Sequence, residues 1–185
     1  MKVTLERNAL LKSLGHVHRV VERRNTYPIL ANVLLKAADG KIDLRSNPGG
    51  LLVGAVQIAD ELLDKGGIVS TKGRAMIGDS RFDATPGDRL QGAPVVLLVD
   101  AGSASAAEVL AGALHDNKRA RVVGSRTFGK GSVQTLLPLD NGDSVKLTTA
   151  RYYTPSGHSI QARGIEPDQV LFPENGKKRS MPINE

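Results

Sequence analysis

Two serines stand at a turn between an apolar run and a helical pattern. Residues 93–99 (APVVLLV) form a short, branched-rich run bounded by breakers, which predicts a buried strand. Small residues around Ser103 and Ser105 follow it, and apolar residues at helical spacing continue from Glu108. Backbone N–H groups at the mouth of a helix lack partners and can stabilise an oxyanion. Either serine is therefore a candidate nucleophile, and a structural N-cap is the alternative for both.

A lysine between two glycines is the candidate base. The segment 127–134 (TFGKGSVQ) contains Lys130, Ser132 and Gln134, which would share one face of an extended segment. Gln134 could then hydrogen-bond the Lys130 amine and orient it. A serine nucleophile requires a base, and a lysine can serve when it is removed from water. We therefore expect a desolvated Lys130, and the alternative is a solvated lysine in a glycine turn.

A phosphate-binding loop is the rival interpretation of the same stretch. Residues 124–130 (GSRTFGK) fit the pattern G-x-x-x-x-G-K, but Gly131 stands where a Ser or Thr hydroxyl would bind Mg²⁺. Ser132 comes one place too late, and a β-prone segment follows where the nucleotide motif requires a helix. The pattern therefore favours the lysine base over the nucleotide site.

Four blocks of sequence together resemble the carboxyl-terminal processing peptidases, also called tail-specific serine peptidases. The blocks are LRSNPGGLL, GSASAAE, TFGKGSVQ and LTTARYYTPSGHSIQARGIEPD, and they cover about residues 43–170 in the family's order. The resemblance implies a Ser–Lys dyad supported by a glutamine. Carried over by position, the nucleophile is Ser105, the general base is Lys130 and the supporting residue is Gln134. Only the resemblance chooses Ser105 over Ser103.

The resemblance also implies where the oxyanion would be held. The turn at residues 47–50 (NPGG) precedes an amphipathic helical pattern over residues 51–63. In the family this turn supplies one oxyanion-hole donor, which places it at Gly49 or Gly50. The other donor would be the N–H of Ala106, next to the nucleophile. Neither a metal nor a cofactor is implied, and His158 is left out because the family uses no histidine there.

The implied fold is α/β, with the βα units of a tail-specific peptidase core (ClpP/crotonase-like) and a β-hairpin region. The residue pattern itself predicts strands over residues 67–70 and 121–123 and a loop or hairpin over residues 72–90. It also predicts a hairpin of residues 132–139 and 144–151 across Asn141-Gly142.

The first 44 residues resemble a different family, the N-terminal segment of the bacterial DNA polymerase sliding clamp (β subunit). The similarity includes the motif R-x-T-x-P-I-L at residues 24–30. The residue pattern itself predicts a short β-α-β-hairpin segment here, with a helix over residues 8–21 and a hairpin around Asp39-Gly40. We expect no clamp function, because a clamp is a closed ring of repeated domains. Weak electrostatic attachment to nucleic acid remains compatible with the sequence.

These observations divide the chain into three parts. Residues 1–43 form the clamp-like segment, residues 44–172 the serine peptidase core, and residues 173–185 a polar tail. The family's PDZ domain and the N-terminal part of its core are expected to be missing. The clamp-like hairpin would then have to cover the strand edge that is left.

The composition sets further bounds. The chain has 185 residues and is 40% apolar, so one domain with a sizeable core is expected. The absence of cysteine excludes disulfides, thiolate metal sites and a cysteine nucleophile. No apolar run reaches the length of a membrane span, and no signal peptide is recognisable at the N-terminus. We therefore expect a cytoplasmic chain, although the family is usually exported to the periplasm or cell envelope.

The sequence thus predicts a serine endopeptidase that cleaves proteins near their C-terminal tails through an acyl-enzyme. Its expected partners are proteins or peptides with apolar C-terminal tails, and a homo-oligomer is compatible with the sequence. No specific nucleic acid is expected. The alternative is a catalytically inactive fusion or fragment that acts as an interaction module or as a weak DNA-binding clamp fragment.

Overall fold

The structure, a computed structural model, describes residues 36–38, 41–73 and 79–171. The described elements form two β-sheets and two helices. In chain order they are β1 (Lys36–Ala38), β2 (Lys41–Asp43), α1 (Leu52–Leu62), β3 (Gly67–Gly73), β4 (Ser80–Asp83), β5 (Val95–Val99), α2 (Ala106–Asp116), β6 (Ala120–Gly124), β7 (Ser132–Pro138), β8 (Ser144–Tyr153) and β9 (Gln169–Val170).

The first sheet is mostly parallel. Its strand order is β1-β2-β5-β6-β9, with β1 antiparallel to β2 and the other neighbours parallel. Strand β5, helix α2 and strand β6 form a βαβ unit, which is the usual way to connect parallel neighbours. The predicted strands around residues 93–99 and 121–123 are therefore confirmed, and they bring the candidate serines to the carboxyl end of β5.

The second sheet is antiparallel, with the order β4-β3-β8-β7. Strands β7 and β8 form the predicted hairpin, and their pairing shifts register between Val133 and Gln134. On β8 the partners of these two residues are Ala150 and Thr148, so the extra residue lies on β8 and β7 keeps its regular alternation. Residues 72–90, predicted as loop or hairpin, contain the end of β3 and all of β4.

Helix α2 is buried on all sides. Every residue from Ala106 to Leu114 is buried, because the helix packs against β6 of the first sheet, β3 of the second sheet and the neighbouring helix α1. Small residues permit this close packing. At Gly112, for example, a Cβ atom would lie 3.0 Å from Thr154 Cγ2. The residue at the start of α2 is therefore held by the core of the molecule.

The core joins both sheets to this helix. Leu97 on β5, Leu114 on α2 and Val122 on β6 have no exposed surface. Burying a side chain of this size contributes about 1.5–3 kcal/mol. Within the described residues, no helix is long and apolar enough to cross a membrane. The predicted helix over residues 8–21, residues 29–35 of the predicted hairpin and the polar tail lie outside the described residues. The antiparallel pairing of β1 with β2 agrees with the hairpin predicted around residues 39–40.

Arg119 ties three segments together just before β6. Its Nε donates a hydrogen bond to the Leu62 carbonyl at 2.8 Å, and its Nη1 donates one to the Ala93 carbonyl, also at 2.8 Å. It also forms an ion pair with Asp88, in which both side chains are only 13% exposed. Burial alone would raise the pKa of Asp88. Hydrogen bonds from Arg119, Gly92 and Leu90 outweigh that effect and hold this pKa below its ordinary value.

We expect Arg119→Gln to lower the free energy of unfolding by about 2 kcal/mol, because two carbonyls and a largely buried carboxylate lose their donor. Urea denaturation measures the effect. The matched control is Arg81→Gln, since Arg81 pairs with Asp83 but its side chain is 72% exposed. That control should lose less than about 1 kcal/mol. Equal losses in the two variants would contradict the role given to Arg119.

Candidate active site

The two candidate serines have different environments. Ser103 has no exposed surface, its hydroxyl donates to the Leu44 carbonyl at 2.7 Å, and it accepts the Asp100 N–H at 3.0 Å. Ser105 is half-buried and caps the N-terminus of α2 with φ 55° and ψ −118°. A positive φ is unusual for a residue with a side chain and is typical of functional turns. Ser103 therefore joins two strand ends, while Ser105 occupies the half-buried turn before the helix.

Glu108 connects the Ser105 turn to the Lys130 loop. Its carboxylate has no exposed surface and accepts hydrogen bonds from both segments. One oxygen, Oε2, accepts the Ser105 N–H and the Lys130 N–H, each at 2.8 Å. The other oxygen, Oε1, accepts the Thr127 hydroxyl at 2.5 Å and the Gly129 N–H at 2.6 Å. The backbones of the candidate nucleophile and the candidate base are thus fixed to the same oxygen atom.

The bridging role of Glu108 was not predicted from the sequence, although a signal was present. Ser105 and Glu108 have the S-x-x-E spacing of a capping box, in which the third residue of the helix bonds back to the N-cap N–H. That spacing predicts the contact with Ser105. The contacts with Thr127, Gly129 and Lys130 come from a segment about twenty residues away, so only the tertiary structure reveals them.

The glycines beside Lys130 are explained by backbone packing. A Cβ atom at Gly131 would overlap the backbone nitrogen of Gln161, and one at Gly129, whose φ is +92°, would lie 3.1 Å from the Arg163 nitrogen. The Gly129 carbonyl accepts the Ala162 N–H at 2.8 Å. The two glycines therefore let the backbone approach the chain's own segment at residues 161–164. The nucleotide interpretation is wrong, because a strand follows Lys130 where a P-loop requires a helix.

The side chains of Lys130 and Gln134 do not form the expected contact. Both are exposed, and within the described part of the chain the Lys130 amine has no hydrogen-bond partner. The expectation of a desolvated lysine is thus wrong for the described residues taken alone. The physical reason is local, since the adjacent Gly129 and Gly131 have no side chains to cover the amine. Lys130 also precedes β7 instead of lying in it, so the strand alternation does not fix its direction.

The turn before α1 lies directly against Ser105. A Cβ atom at Gly49, whose φ is +97°, would be 2.8 Å from the Ala106 nitrogen and 2.9 Å from Ser105 Cβ. The Gly49 N–H donates to Asn47 Oδ1 at 2.9 Å. Among the described residues, the N–H groups of Gly50 and Ala106 have no hydrogen-bond partner. Two free backbone donors therefore flank the Ser105 turn, and the alternative donor, Gly49, is already engaged.

An apolar concavity opens beside this turn. Its lining comes from the end of β2, the turn, α1 and the first turns of α2, and consists mainly of aliphatic side chains and backbone. The lining residues are Leu44, Asn47, Gly49, Gly50, Leu51, Ala55, Ile58, Ala106, Ala107 and Leu110. In the described chain no group of three or more His, Asp or Glu side chains is arranged to hold a metal ion.

His158, which the sequence analysis left out, belongs to a separate polar network. Its Nδ1 lies 2.8 Å from the Ser156 hydroxyl, and that hydroxyl donates to Asp116 at 2.5 Å. Asp116 also accepts the Ser156 N–H at 2.9 Å and lies 3.2 Å from His115 Nδ1. Asp116 ends α2, at the opposite end of the helix from Ser105. This network therefore anchors the far end of the helix.

Comparison with known proteins identifies the family. The profile of Peptidase family S41 matches residues 35–171. The carboxy-terminal-processing protease of Bartonella bacilliformis is 50% identical over 147 residues, which are 78% of this chain and 34% of that protein. The carboxyl-terminal-processing protease of Synechocystis is 43% identical over 165 residues, which are 86% of this chain and 38% of that protein.

A solved structure agrees with these relatives. The photosystem II D1 C-terminal processing protease matches with a TM-score of 0.65 and 42% identity, over 72% of this chain and 34% of that one. The chain belongs to Peptidase family S41, a family of serine-type peptidases. It spans about a third of the length of the relatives that it matches. The predicted α/β peptidase core is confirmed.

We expect Glu108→Gln to lower the free energy of unfolding by about 3 kcal/mol, because the new NH₂ group faces backbone N–H donors that need an acceptor. Thr127→Val removes the hydroxyl that donates to Glu108 and accepts the Ile165 N–H at 2.7 Å, so its cost should lie between those of Glu108→Gln and the control. The control Glu166→Gln changes a side chain that is 71% exposed and should have little effect. Chemical denaturation ranks the three variants. A Glu108→Gln chain as stable as Glu166→Gln would contradict the bridging role.

The Asp116 network predicts a pH dependence. Burial raises the pKa of Asp116, but hydrogen bonds from Ser156, Thr154 and His115 outweigh burial and lower this pKa below its ordinary value of 3.8. The ionised carboxylate therefore stabilises the fold above the unfolded-state pKa. That contribution is lost as the pH falls below about 4 and through the folded-state pKa.

We expect the free energy of unfolding to fall more steeply below about pH 4 in the native chain than in Asp116→Asn, which cannot ionise but keeps an acceptor oxygen. Urea denaturation across about pH 3–7 measures the slopes. Asp140→Asn, which changes an exposed carboxylate in the β7–β8 turn, is the control and should follow the native chain. Equal slopes for Asp116→Asn and the native chain would refute the prediction.

Proposed function

We propose that this chain carries the nucleophile and the general base of a carboxyl-terminal processing serine peptidase. The observation that supports this most directly is the shared Glu108 oxygen, which holds the backbone N–H groups of Ser105 and Lys130 at 2.8 Å each. The turn at Ser105 presents a strained, half-buried serine beside two unpaired backbone donors. Ser103, in contrast, uses its hydroxyl within the fold.

In the proposed reaction the Ser105 hydroxyl attacks the carbonyl carbon of the scissile peptide bond while Lys130 takes the hydroxyl proton. The N–H groups of Gly50 and Ala106 stabilise the oxyanion that forms. Lys130 returns the proton to the leaving amine, and an acyl-enzyme remains. Water then attacks the ester, releasing the new C-terminus and restoring the Ser105 hydroxyl. Gln134 is assigned the role of orienting Lys130.

The exposed position of Lys130 places a condition on this mechanism. A lysine accepts a proton near neutral pH only when water is excluded from its amine. Because Gly129 and Gly131 provide no cover, we propose that a bound polypeptide covers the amine. A bound substrate would then both present the scissile bond and activate the base.

The proposed substrates are proteins with apolar C-terminal tails. The concavity beside Ser105 supports an apolar side chain next to the scissile bond, because its walls are formed by residues such as Leu44, Ile58 and Leu110. The names of the relatives support the processing of carboxyl termini. Assembly into a homo-oligomer is compatible with the proposal. For the clamp-like residues 1–44 we propose no clamp activity.

The second candidate function is an inactive fragment that acts only as an interaction module. The exposure of Lys130 and the lack of a bond between its amine and the Ser105 hydroxyl favour this alternative. The two functions differ in the reactivity of Ser105. An assembled dyad makes this serine a nucleophile, whereas a serine without a base is unreactive.

We expect a fluorophosphonate probe to label the purified full chain, and we expect Ser105→Ala and Lys130→Ala each to reduce labelling by at least about a hundredfold, since the two residues act as one unit. Lys118→Ala, which removes an exposed lysine beyond α2, is the matched control and should label normally. Mass spectrometry of the labelled peptide identifies the serine. A cooperatively folded chain that is not labelled would overturn the assignment of activity and support the inactive fragment.

A further inference from the structure

Two cations stand directly opposite each other on the second sheet. Lys72 on β3 is the Cα partner of Arg151 on β8, and Arg151 is also the partner of Ser132 on β7. Directly opposed residues of antiparallel strands project from the same face of a sheet. Lys72, Arg151 and Ser132 therefore form a row across three strands, which we call the cation row.

The cation row lies on the outer face of the sheet. The alternating residues on β8, Ala150 and Tyr152, are 7% and 8% exposed, so the opposite face packs into the core. Both Lys72 and Arg151 are exposed. The Lys72 Nζ lies 5.1 Å from the centroid of the Tyr153 ring, a cation–π distance that holds one ammonium against the sheet.

No acidic side chain in the described structure neutralises the row. Neither Lys72 nor Arg151 forms a salt bridge with a described residue. Asp83 on β4 is paired with Arg81 at 2.9 Å, and Asp79 accepts the Gly73 N–H at 3.3 Å. Like charges directly opposite each other destabilise a sheet, and an anion placed between them removes the repulsion. The row therefore has the composition of a carboxylate-binding site, with two directly opposed cations on one face of the sheet.

The cation row lies close to Gln134 and to the backbone beside Lys130. Gln134 follows Ser132 by two residues on β7, so both project from the outer face. The Gly131 carbonyl accepts the Tyr152 N–H at 2.7 Å, which extends the β7–β8 pairing back to the residue beside Lys130. Neighbouring strands are about 4.8 Å apart, so Lys72, two strands from β7, lies about 10 Å from it.

We propose that Lys72 and Arg151 bind a carboxylate of the substrate polypeptide. The inference rests on the proposed function, because it takes the bound molecule to be a polypeptide. An extended chain advances about 3.3 Å per residue, so a carboxylate on the row is about three residues from a segment of the polypeptide bound along β7. The row therefore selects chains with a carboxylate at that separation, either the terminal α-carboxylate or an acidic side chain.

The test measures binding without catalysis. The full chain carrying Ser105→Ala is titrated against fluorescent peptides of one sequence by anisotropy. One peptide ends with a free terminal carboxylate, a second is amidated at that end, and a third is amidated but has aspartate as its last residue. The free acid should bind about fivefold more tightly than the amide, as expected for a solvent-exposed ion pair. Added salt should remove the difference.

Matched substitutions assign the effect to the row. Lys72→Gln and Arg151→Gln should each remove most of the preference for the acid. Lys118→Gln and Arg121→Gln remove the same charge from exposed positions outside the second sheet and should retain the preference. If the aspartate peptide matches the free acid, any carboxylate is accepted, and if it matches the amide, the terminal carboxylate is the ligand. Both results support the site.

Equal binding of acid and amide, or a preference that survives both row substitutions, would overturn the proposal. Failure of the proposed function is recognised separately, since an unlabelled Ser105 in the fluorophosphonate experiment leaves this binding test unaffected. A chain without peptidase activity but with acid-selective binding would retain the site and lose the dyad.

Discussion

A carboxylate that is shielded from water needs donors on both of its oxygens, and Glu108 obtains them from two separate parts of the chain. Its own helix supplies the Ser105 N–H, and the loop after β6 supplies the Thr127 hydroxyl and the N–H groups of Gly129 and Lys130. Leaving such donors unpaired is costly, so the loop and the helix start are fixed together. The relative positions of Ser105 and Lys130, the proposed nucleophile and base, depend on this one side chain.

Helix α2 makes that arrangement rigid. It is enclosed by both sheets and α1, so the Ser105 turn cannot move without disturbing the core. At its other end Asp116 is held by Ser156 and His115. On the remaining side of the turn, Gly49 approaches Ser105 more closely than any residue with a Cβ could. The backbone of the site is therefore preorganised before any substrate arrives.

The side chain of Lys130, the proposed base, is exposed, whereas its backbone is fixed by a hydrogen bond. Lys130 has a fixed N–H and an exposed amine, because the glycines that let its loop pack against residues 161–164 cannot cover it. The ability of this amine to accept a proton would therefore depend on a bound molecule that excludes water from it. The cation row on the adjacent sheet gives a bound chain a second point of attachment near the same amine. Binding and activation would then be coupled through the position of the polypeptide.

The sequence by itself determined the local elements and the types of residue at the site. Branched apolar runs and breakers were sufficient for β5, β6 and the β7–β8 hairpin, and the motifs around Ser105 and Lys130 identified the family. The two-residue strand β9 carries too little pattern to be predicted. Only the tertiary structure showed that Glu108 joins the two motifs and that Ser103 is structural, because those contacts join segments distant in sequence. The exposure of the Lys130 side chain was likewise not predictable from the sequence, because burial depends on which surfaces the fold brings together.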